Sequence, residues 1–221
     1  MTSVAKHLAR GLGIMLDTRI VALRASRHHW SAETATGDVH SARAVVLTPP
    51  VPQSLAILEA GAVALEPEIR SRLEGIGYER CLAVMAVLSG RSRLGPPGGL
   101  APDDGPIAWI ADNQLKGISA EPAVTIHASH AFSLEHWERD RQESGRRLLD
   151  AANDWLGAEV RAFHVHGWLY SKPLQVDESP CAMVTHGPPL VLAGDAFAGT
   201  RVEGAALSGW AAAAAVLAIE S

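Results

Sequence analysis

The chain has 221 residues, of which 48% are hydrophobic and 19% charged, a composition that excludes an intrinsically disordered, collagen-like or mucin-like protein. Its 19 basic and 24 acidic side chains give a formal charge of −5 and form no basic block, so we expect no nucleic-acid partner. Two cysteines, Cys81 and Cys181, cannot build a disulfide framework or a thiolate zinc site.

The first fifty residues predict one short helix followed by strands. Gly11 and Gly13 end the helix, because glycine readily adopts the left-handed backbone that stops one. The segments that predict strands are 13–23, 30–35, 39–42 and 44–47. The last of these is continuously apolar and ends at Pro49-Pro50, so we expect a strand that is buried on both faces.

From residue 51 onward, helices and strands alternate. Short helices are predicted over 53–60 and 66–74, and strands over 81–88, 107–111, 123–129, 164–170 and 190–193. Ser133 is expected to cap one long helix that reaches Leu156, and the last helix starts near Val202. This mixture predicts an α/β or mixed α+β fold.

Neither a secretory signal nor a membrane span is expected. The N-terminal segment contains Lys6, His7 and Arg10, where a signal peptide needs an unbroken apolar stretch. The most apolar segment, Gly204–Ile219, is shorter than the roughly 20 residues that a membrane helix needs. We therefore expect a cytoplasmic protein without a membrane partner.

The segment 190–209 carries the strongest functional pattern. Its buried strand delivers Gly194-Asp195 at the carboxyl end, where open α/β sheets bind ligands. A loop of small residues follows, and Gly204 lies in the first turn of the next helix, where the lack of side chains lets a planar ligand approach the free N–H groups. A Gly-Asp pair alone is typical of an ordinary turn, but the complete order favours a ligand site.

This segment resembles the C-terminal flavin-binding motif of FAD-dependent amine oxidases, especially the renalase-like branch of NAD(P)- and FAD-dependent oxidoreductases. In that family the aspartate of the Gly-Asp pair hydrogen-bonds the ribityl–pyrophosphate part of FAD, and the next helix points its N-terminus at the pyrimidine edge of the flavin ring. The motif match implies that the cofactor-binding residues here are Gly194, Asp195, Arg201, Val202, Glu203 and Gly204.

Three other segments resemble the same family in the same order. Residues 18–23 resemble the strand whose backbone contacts the adenine, with Ile20 at the matching position. Residues 44–50 resemble the strand and proline turn beside the adenosine and pyrophosphate, which adds Thr48 and Pro49 to the cofactor site. Residues 164–173 resemble a strand close to the flavin, which implies that Trp168 and Tyr170 contact substrate. Ordinary packing with one solvated face is the alternative for that strand.

The two histidines of the same strand, His164 and His166, have no acidic or cysteine partner nearby in the sequence, so no metal site is predicted.

The resemblance implies a partial, Rossmann-like FAD-binding domain from residues 1–50 and 186–221, with a mixed-sheet substrate domain at 51–185. It implies FAD as cofactor and hydride removal from an amine or a dihydronicotinamide-type small molecule, with oxygen as the acceptor. No catalytic acid or base is assigned, because the cofactor performs the redox step.

The sequence lacks the strand–GxGxxG–helix fingerprint that such an enzyme needs. Gly11-Leu12-Gly13 follows a helix and has no third glycine, and Gly75-Ile76-Gly77 precedes a strand. Three interpretations stay open: a truncated enzyme, a chain whose missing dinucleotide-binding half comes from a separate chain, and a non-catalytic remnant that acts as a binding protein. We expect the isolated chain to be inactive.

Overall fold

The structure is a computed structural model that describes residues 2–184 and 187–220. The helices are α1 (Thr2–Leu8), α2 (Val51–Ala60), α3 (Pro67–Glu74), α4 (His130–His136), α5 (Arg141–Ala151), α6 (Asn153–Leu156) and α7 (Arg201–Glu220). The strands are β1 (Ile20–Ala25), β2 (Trp30–Thr34), β3 (Val39–Ala42), β4 (Val45–Leu47), β5 (Tyr78–Leu88), β6 (Gly99–Leu100), β7 (Ile107–Asp112), β8 (Ala123–Ala128), β9 (Val160–Pro173), β10 (Ala182–Met183) and β11 (Leu190–Leu192). The fold class is mixed α/β, as the sequence predicts.

The chain divides into two compact units, which are described separately. Unit 1 consists of Met1–Ile76 and Val176–Ser221, and unit 2 of Gly77–Gln175. The predicted boundaries, 50/51 and 185/186, differ from these, and residue 186 lies outside the described residues. The cofactor and substrate roles of the units stay predictions.

Unit 1 contains two three-stranded sheets. The first is the antiparallel meander β1-β2-β3, whose hairpin turn uses Gly37 at φ 89°. In the second, of order β10-β11-β4, β11 runs parallel to β4 and places Leu190 opposite Val45 and Leu192 opposite Leu47. Helix α7 packs on β11 through a small core that includes Ala212.

Helices α2 and α3 belong to unit 1 because α2 packs against β1. At the end of α2, Gly61 lies so close to the backbone of Leu23 that a Cβ would overlap the Leu23 carbonyl. Arg72 of α3 is ion-paired with Asp177 (Nε to Oδ2, 3.1 Å), whose side chain is almost fully buried. These contacts explain why the compact unit extends beyond residue 50.

Unit 2 is an antiparallel five-stranded sheet of order β6-β7-β8-β5-β9, so the four strands predicted in the middle of the chain are neighbours. Helices α4 and α5 cover one face, where Leu82, Val84 and Leu148 are fully buried in the core. The opposite face carries exposed large side chains, among them Trp109 and Trp168.

The predicted strand 13–23 is wrong over its first half, since β1 begins only at Ile20. Asp17 adopts a left-handed backbone (φ 53°), and the Thr18 hydroxyl donates to the Leu16 carbonyl at 2.9 Å. A left-handed residue is incompatible with a strand, so the branched residues before it form a turn-containing segment.

The predicted single helix from Ser133 to Leu156 is also wrong, because α4, α5 and α6 replace it. Ser129 caps α4 by accepting the Phe132 N–H, and Asp140 caps α5 by accepting the Glu143 N–H at 2.8 Å. Ser133 lies inside α4, where its hydroxyl accepts the Leu82 N–H and so ties the helix to β5.

Strand β4 is not buried on both faces as predicted. Leu47 is buried, but Val46 is 41% exposed. In the described part of the chain β4 pairs with β11 alone, which makes it an edge strand.

The prediction that the chain has no membrane span was based on the length of the apolar segment Gly204–Ile219. Helix α7, from Arg201 to Glu220, is longer than that segment. Over Arg201–Ile219 it is long and apolar enough to cross a membrane by length and composition alone, and 17% of that stretch is buried. The absence of a membrane partner and the cytoplasmic location therefore stay predictions.

Candidate functional site

The carboxyl ends of β4 and β11 bring two predicted cofactor residues together. The Ala193 N–H donates to the Leu47 carbonyl at 3.0 Å, which continues the parallel ladder beyond the two strands. The next pair is Thr48 and Gly194, where a Cβ on Gly194 would lie 3.7 Å from the Thr48 carbonyl oxygen. Asp195 therefore begins a loop directly at the edge of this parallel sheet.

The loop between β11 and α7 has an unusual backbone. Gly194 and Gly199 have φ values of 144° and 139°, and Ala198 and Arg201 have φ values of 59° and 75°. Left-handed conformations at alanine and arginine cost free energy, so the surrounding contacts must hold them. Asp177 supplies two of these contacts, since its N–H donates to the Ala196 carbonyl and its carbonyl accepts the Ala198 N–H.

Helix α7 is pressed against this loop at Gly204. A Cβ there would overlap the carbonyl of Gly199, so the helix can approach the loop only where residue 204 is glycine. One turn later, Ser208 is fully buried and its Oγ accepts the Gly194 N–H at 3.0 Å. These contacts fix the first two turns of α7 relative to the end of β11.

Asp195 has a half-buried carboxylate. Burial raises the pKa of Asp195 above its ordinary value, and a hydrogen bond from its own backbone N–H offsets part of that rise. Among the described residues, no basic side chain forms an ion pair with it. Such a carboxylate is available as an acceptor for hydroxyl groups of a ligand.

The other predicted residues of this loop lie in the first turn of α7. Arg201, Val202 and Glu203 expose their side chains, and their backbone N–H groups lie in the first turn, where a helix offers them no carbonyl partner. The Gly194 N–H, by contrast, is already bound to Ser208 and is not a donor for a ligand.

A cavity of about 530 Å³ lies beside the same edge, between β1 and α2. It unites the predicted Ile20 and Pro49 on one wall. The Pro49 turn is fixed by Ser54, whose buried hydroxyl donates to the Pro49 carbonyl at 3.0 Å. The lining residues are Thr18, Arg19, Ile20, Val21, Pro49, Gln53, Ala56 and Ile57.

Unit 2 has a cavity of its own, on the sheet face that the helices leave open. It also measures about 530 Å³ and unites the two predicted substrate residues, Trp168 and Tyr170. Trp168 packs edge-on against His166 with ring centroids 4.3 Å apart, and Tyr170 packs in the same way against Tyr78 at 5.4 Å. The other lining residues are Glu79, Arg80, Cys81, Ala108, Trp109, His127, Ala128, His130, Ser171 and Lys172.

Sequence reasoning missed three residues that hold the site in place: Ser54 and Ser208 through their hydroxyl groups, and Asp177 through its backbone. Each bonds a backbone group that is far away in the sequence or across a turn, and no local sequence motif indicates such a bond. Within residues 2–184 and 187–220, no three His, Cys, Asp or Glu side chains are grouped closely enough to hold a metal ion.

Comparison with known proteins identifies a family that this chain matches over almost its whole length. The family model for flavin containing amine oxidoreductase matches residues 1–217. Mouse renalase is 23% identical over 215 residues, which cover 92% of this chain and 63% of renalase.

Solved structures share the fold. A proposed protoporphyrinogen oxidase from Exiguobacterium sp. 255-15 superposes with a TM-score of 0.63 at 16% identity, covering 98% of this chain and 51% of that protein. A Pyrococcus furiosus protein gives a TM-score of 0.60 at 12% identity, covering 90% and 46%. The chain thus spans between 46% and 63% of the length of these relatives.

Proposed function

This chain belongs to the flavin-containing amine oxidoreductase family, and we propose that it supplies the substrate domain and part of the FAD-binding domain of a renalase-type, FAD-dependent oxidoreductase. The observation that carries the proposal is the unit formed by β11, the Gly194–Arg201 loop and α7. Helix α7 approaches the loop closely at Gly204, and the Asp195 carboxylate is half-buried at the sheet edge. The carboxylate suits a ligand with hydroxyl groups, and the helix N-terminus suits a ligand with negative charge.

The sheet edge supports binding of the middle part of FAD. Asp195 would accept hydrogen bonds from ribityl hydroxyls, and the backbone at Thr48 lies beside the same edge. The free N–H groups of Val202, Glu203 and Gly204 would stabilise negative charge at the helix N-terminus. Because Arg201 and Val202 expose their side chains, this end of the helix is open to a planar group.

The cavity between β1 and α2 supports binding of the adenosine end. Ile20 and Pro49 supply apolar surface, and the start of β1 lies in the cavity wall. Its volume of about 530 Å³ lies in the usual range of ligand pockets, roughly 300–1,000 Å³. Thr48 at the sheet edge and Pro49 in the cavity wall are consecutive in the chain. One continuous surface would therefore bind both the middle part and the adenosine end of FAD.

The proposed reaction removes a hydride, that is two electrons and a proton, from an amine or dihydronicotinamide-type small molecule. FAD supplies the hydride-accepting chemistry when bound. Molecular oxygen then takes up the two electrons with two protons and leaves as hydrogen peroxide. The contribution of this chain is to bind and orient the cofactor and substrate.

The surface of unit 1 supports completion of the cofactor site by polypeptide outside these residues. In the described part of the chain the outer edge of β4 is unpaired, and α7 exposes Leu207 and Trp210. Unpaired strand edges and clustered apolar side chains favour association. We propose that a strand–GxGxxG–helix segment pairs with β4 and covers α7, because the sequence itself contains no such fingerprint.

FAD binding to the purified chain, followed by quenching of flavin fluorescence, tests the cofactor site. We expect weak binding by the chain alone, because no glycine turn compensates the pyrophosphate charge. Co-expression with the fingerprint-bearing segment of a family relative should yield a yellow complex that produces peroxide. In that complex Asp195→Ala should weaken FAD binding about ten- to a hundredfold, whereas Asp103→Ala, which removes an exposed carboxylate of unit 2, should not.

Each part of the proposal can fail separately. A chain that retains stoichiometric FAD and turns over alone contradicts completion by another segment. A well-folded complex without flavin contradicts the cofactor assignment. A complex that binds FAD but makes no peroxide with any amine or dihydronicotinamide favours the alternative, a binding protein without turnover.

A further inference from the structure

We propose that Arg72 of α3 and Asp177 are positioning residues for the cofactor loop, residues 194–201, and that their ion pair holds this loop in the conformation that receives FAD. The pair acts through the backbone of the loop and not by contact with the cofactor. As a statement about FAD, the inference rests on the proposed function. Its structural part, that the pair keeps the loop in one conformation, can be measured on the flavin-free chain.

Asp177 is bonded to the cofactor loop through its backbone. Its N–H donates to the Ala196 carbonyl at 2.8 Å, and its carbonyl accepts the Ala198 N–H at 3.2 Å. These two bonds form a parallel bridge between Asp177 and Phe197, whose side chain is fully buried. The bridged stretch lies between the two groups that are proposed to bind FAD, since Asp195 directly precedes it and the first turn of α7 follows it.

The side chain of Asp177 is bonded to helix α3. Its carboxylate is only 5% exposed and accepts the N–H of Arg72, with Nε and Oδ2 3.1 Å apart. The other carboxylate oxygen, Oδ1, accepts the Ser179 N–H at 2.9 Å. Burying a carboxylate without a countercharge is costly, and Arg72 supplies that countercharge. The position of Asp177 therefore depends on Arg72.

The cofactor loop needs this support because its backbone is strained. Ala198 and Arg201 have φ values of 59° and 75°. A residue with a side chain adopts this left-handed region at a cost in free energy, so a loop without tertiary bonds would leave it. Since Asp177 holds the Ala198 N–H, loss of the ion pair should release Ala198. The loop would then no longer fix the direction of Asp195 or the start of α7.

Helix α3 also connects the ion pair to the other end of the proposed cofactor site. It packs on α2, whose residues Gln53, Ala56 and Ile57 line the cavity proposed for adenosine. Leu73, the neighbour of Arg72 in the chain, is fully buried and anchors α3 in unit 1. Arg72 therefore joins the loop to a helix with a fixed position, and the two helices together support both ends of the FAD site.

A positioning role has a kinetic signature. If only a fraction of the molecules holds the loop in the binding conformation, the association rate constant and the affinity for FAD both fall by that fraction. The dissociation rate constant changes little, because Arg72 does not contact bound FAD in this role. Loss of a residue that contacts FAD directly would instead change mainly the dissociation rate constant. The two rate constants therefore distinguish a positioning residue from a contact residue.

Hydrogen exchange of the flavin-free full chain, read by mass spectrometry of peptides that cover residues 194–201, tests the structural part. Arg72→Gln removes the charge that faces Asp177 and should speed exchange of the Ala198 N–H about tenfold or more. Arg70→Gln is the matched control, because Arg70 lies on the same helix, is similarly exposed and has its ion-pair partner, Glu74, within α3. It should leave exchange in the loop unchanged.

Stopped-flow fluorescence of FAD binding to the complex with the fingerprint-bearing segment tests the cofactor part. Arg72→Gln should lower the association rate constant about tenfold and leave the dissociation rate constant within about twofold of wild type. Arg72→Lys keeps the positive charge and should fall between wild type and Arg72→Gln. The double variant Arg72→Gln/Asp177→Asn should regain part of the loss, because it leaves no buried carboxylate without a countercharge.

The inference is overturned if Arg72→Gln and Arg70→Gln show the same exchange in the loop, if both bind FAD at the same rate, or if the loss lies in dissociation. Circular dichroism checks that Arg72→Gln is folded, and Arg72→Lys replaces it in both measurements if it is not. A wild-type complex that binds no flavin contradicts the proposed function instead. The exchange measurement then decides by itself whether the ion pair holds the loop.

Discussion

The Gly194 N–H donates a 3.0 Å hydrogen bond to the buried Oγ of Ser208, and this bond joins the carboxyl end of β11 to the second turn of α7. The Gly194 N–H is the first backbone donor of the loop, and this bond occupies it. The N–H groups that stay available to a ligand are therefore those at the start of α7. A fully buried serine therefore fixes the backbone of the cofactor half of the proposed site.

Ser208→Ala should lower the free energy of unfolding by about 1–3 kcal/mol, because the buried Gly194 N–H loses its partner. Urea unfolding followed by circular dichroism measures the change. Ser71→Ala in α3 is the control, since Ser71 is exposed and should stay within about 0.5 kcal/mol of wild type. Equal stability of the two variants would contradict the structural role of Ser208.

Gly204→Ala should destabilise unit 1 by about 1–3 kcal/mol, because the new methyl group overlaps the Gly199 carbonyl and the backbone must shift. Gly209→Ala is the matched control in the same helix. A Cβ there meets nothing within 4 Å, so alanine should stabilise α7 by about 0.5–1 kcal/mol. Thermal unfolding should thus give shifts of opposite sign, and shifts of the same sign would argue against the close approach at Gly204.

Asp195→Asn should stabilise the flavin-free chain at neutral pH, although it should weaken FAD binding. Burial raises the pKa of Asp195 in the folded state, so the folded chain holds this proton more tightly than the unfolded chain does. The favourable contribution of the protonated group is present at acidic pH and is lost as the pH rises through the folded-state pKa. The ionised carboxylate then destabilises the fold, and the amide does not.

Melting temperatures measured from pH 7 down to pH 3 check this prediction. The advantage of Asp195→Asn should be largest at pH 7 and should disappear as the pH approaches the ordinary carboxyl value of 3.8. Asp103→Asn, at an exposed position in unit 2, serves as the control for the change in net charge. An advantage that does not depend on pH would show that burial of the Asp195 carboxylate is not its cause.

Ala56→Phe should block the adenosine end of the proposed FAD site without unfolding the chain. Ala56 lines the cavity beside Ile20 and is exposed, so a larger ring fills ligand space and not core space. We expect at least a tenfold loss of FAD affinity in the completed complex, measured by fluorescence titration. Ala60→Phe, on the same helix but outside the cavity lining, should bind FAD normally. Normal binding by Ala56→Phe would remove the cavity from the cofactor site.

Local sequence patterns were sufficient where one segment determines its own structure. The apolar β5, the Gly37 hairpin and the Gly194-Asp195 turn after β11 form where the sequence predicts them, because strand periodicity and the φ preference of glycine act within a few residues. The patterns were insufficient where two local signals compete. Asp17 interrupts a predicted strand and Asp140 interrupts a predicted helix, and the sequence alone does not show which local signal dominates.

By itself, then, the sequence determined the family, the mixed α/β class and the order of strand, Gly194-Asp195 and helix, since these depend on residue types in chain order. Only the tertiary structure decided that Thr48 lies beside Gly194, that Ile20 and Pro49 share one cavity, and that Arg80 and Trp168 line another. Each of these groups joins segments that are distant in the chain. Their proximity follows from strand pairing and helix packing, which minimise exposed apolar surface and unpaired backbone groups over a whole unit. No single segment of the sequence shows this, because the arrangement depends on all the segments together.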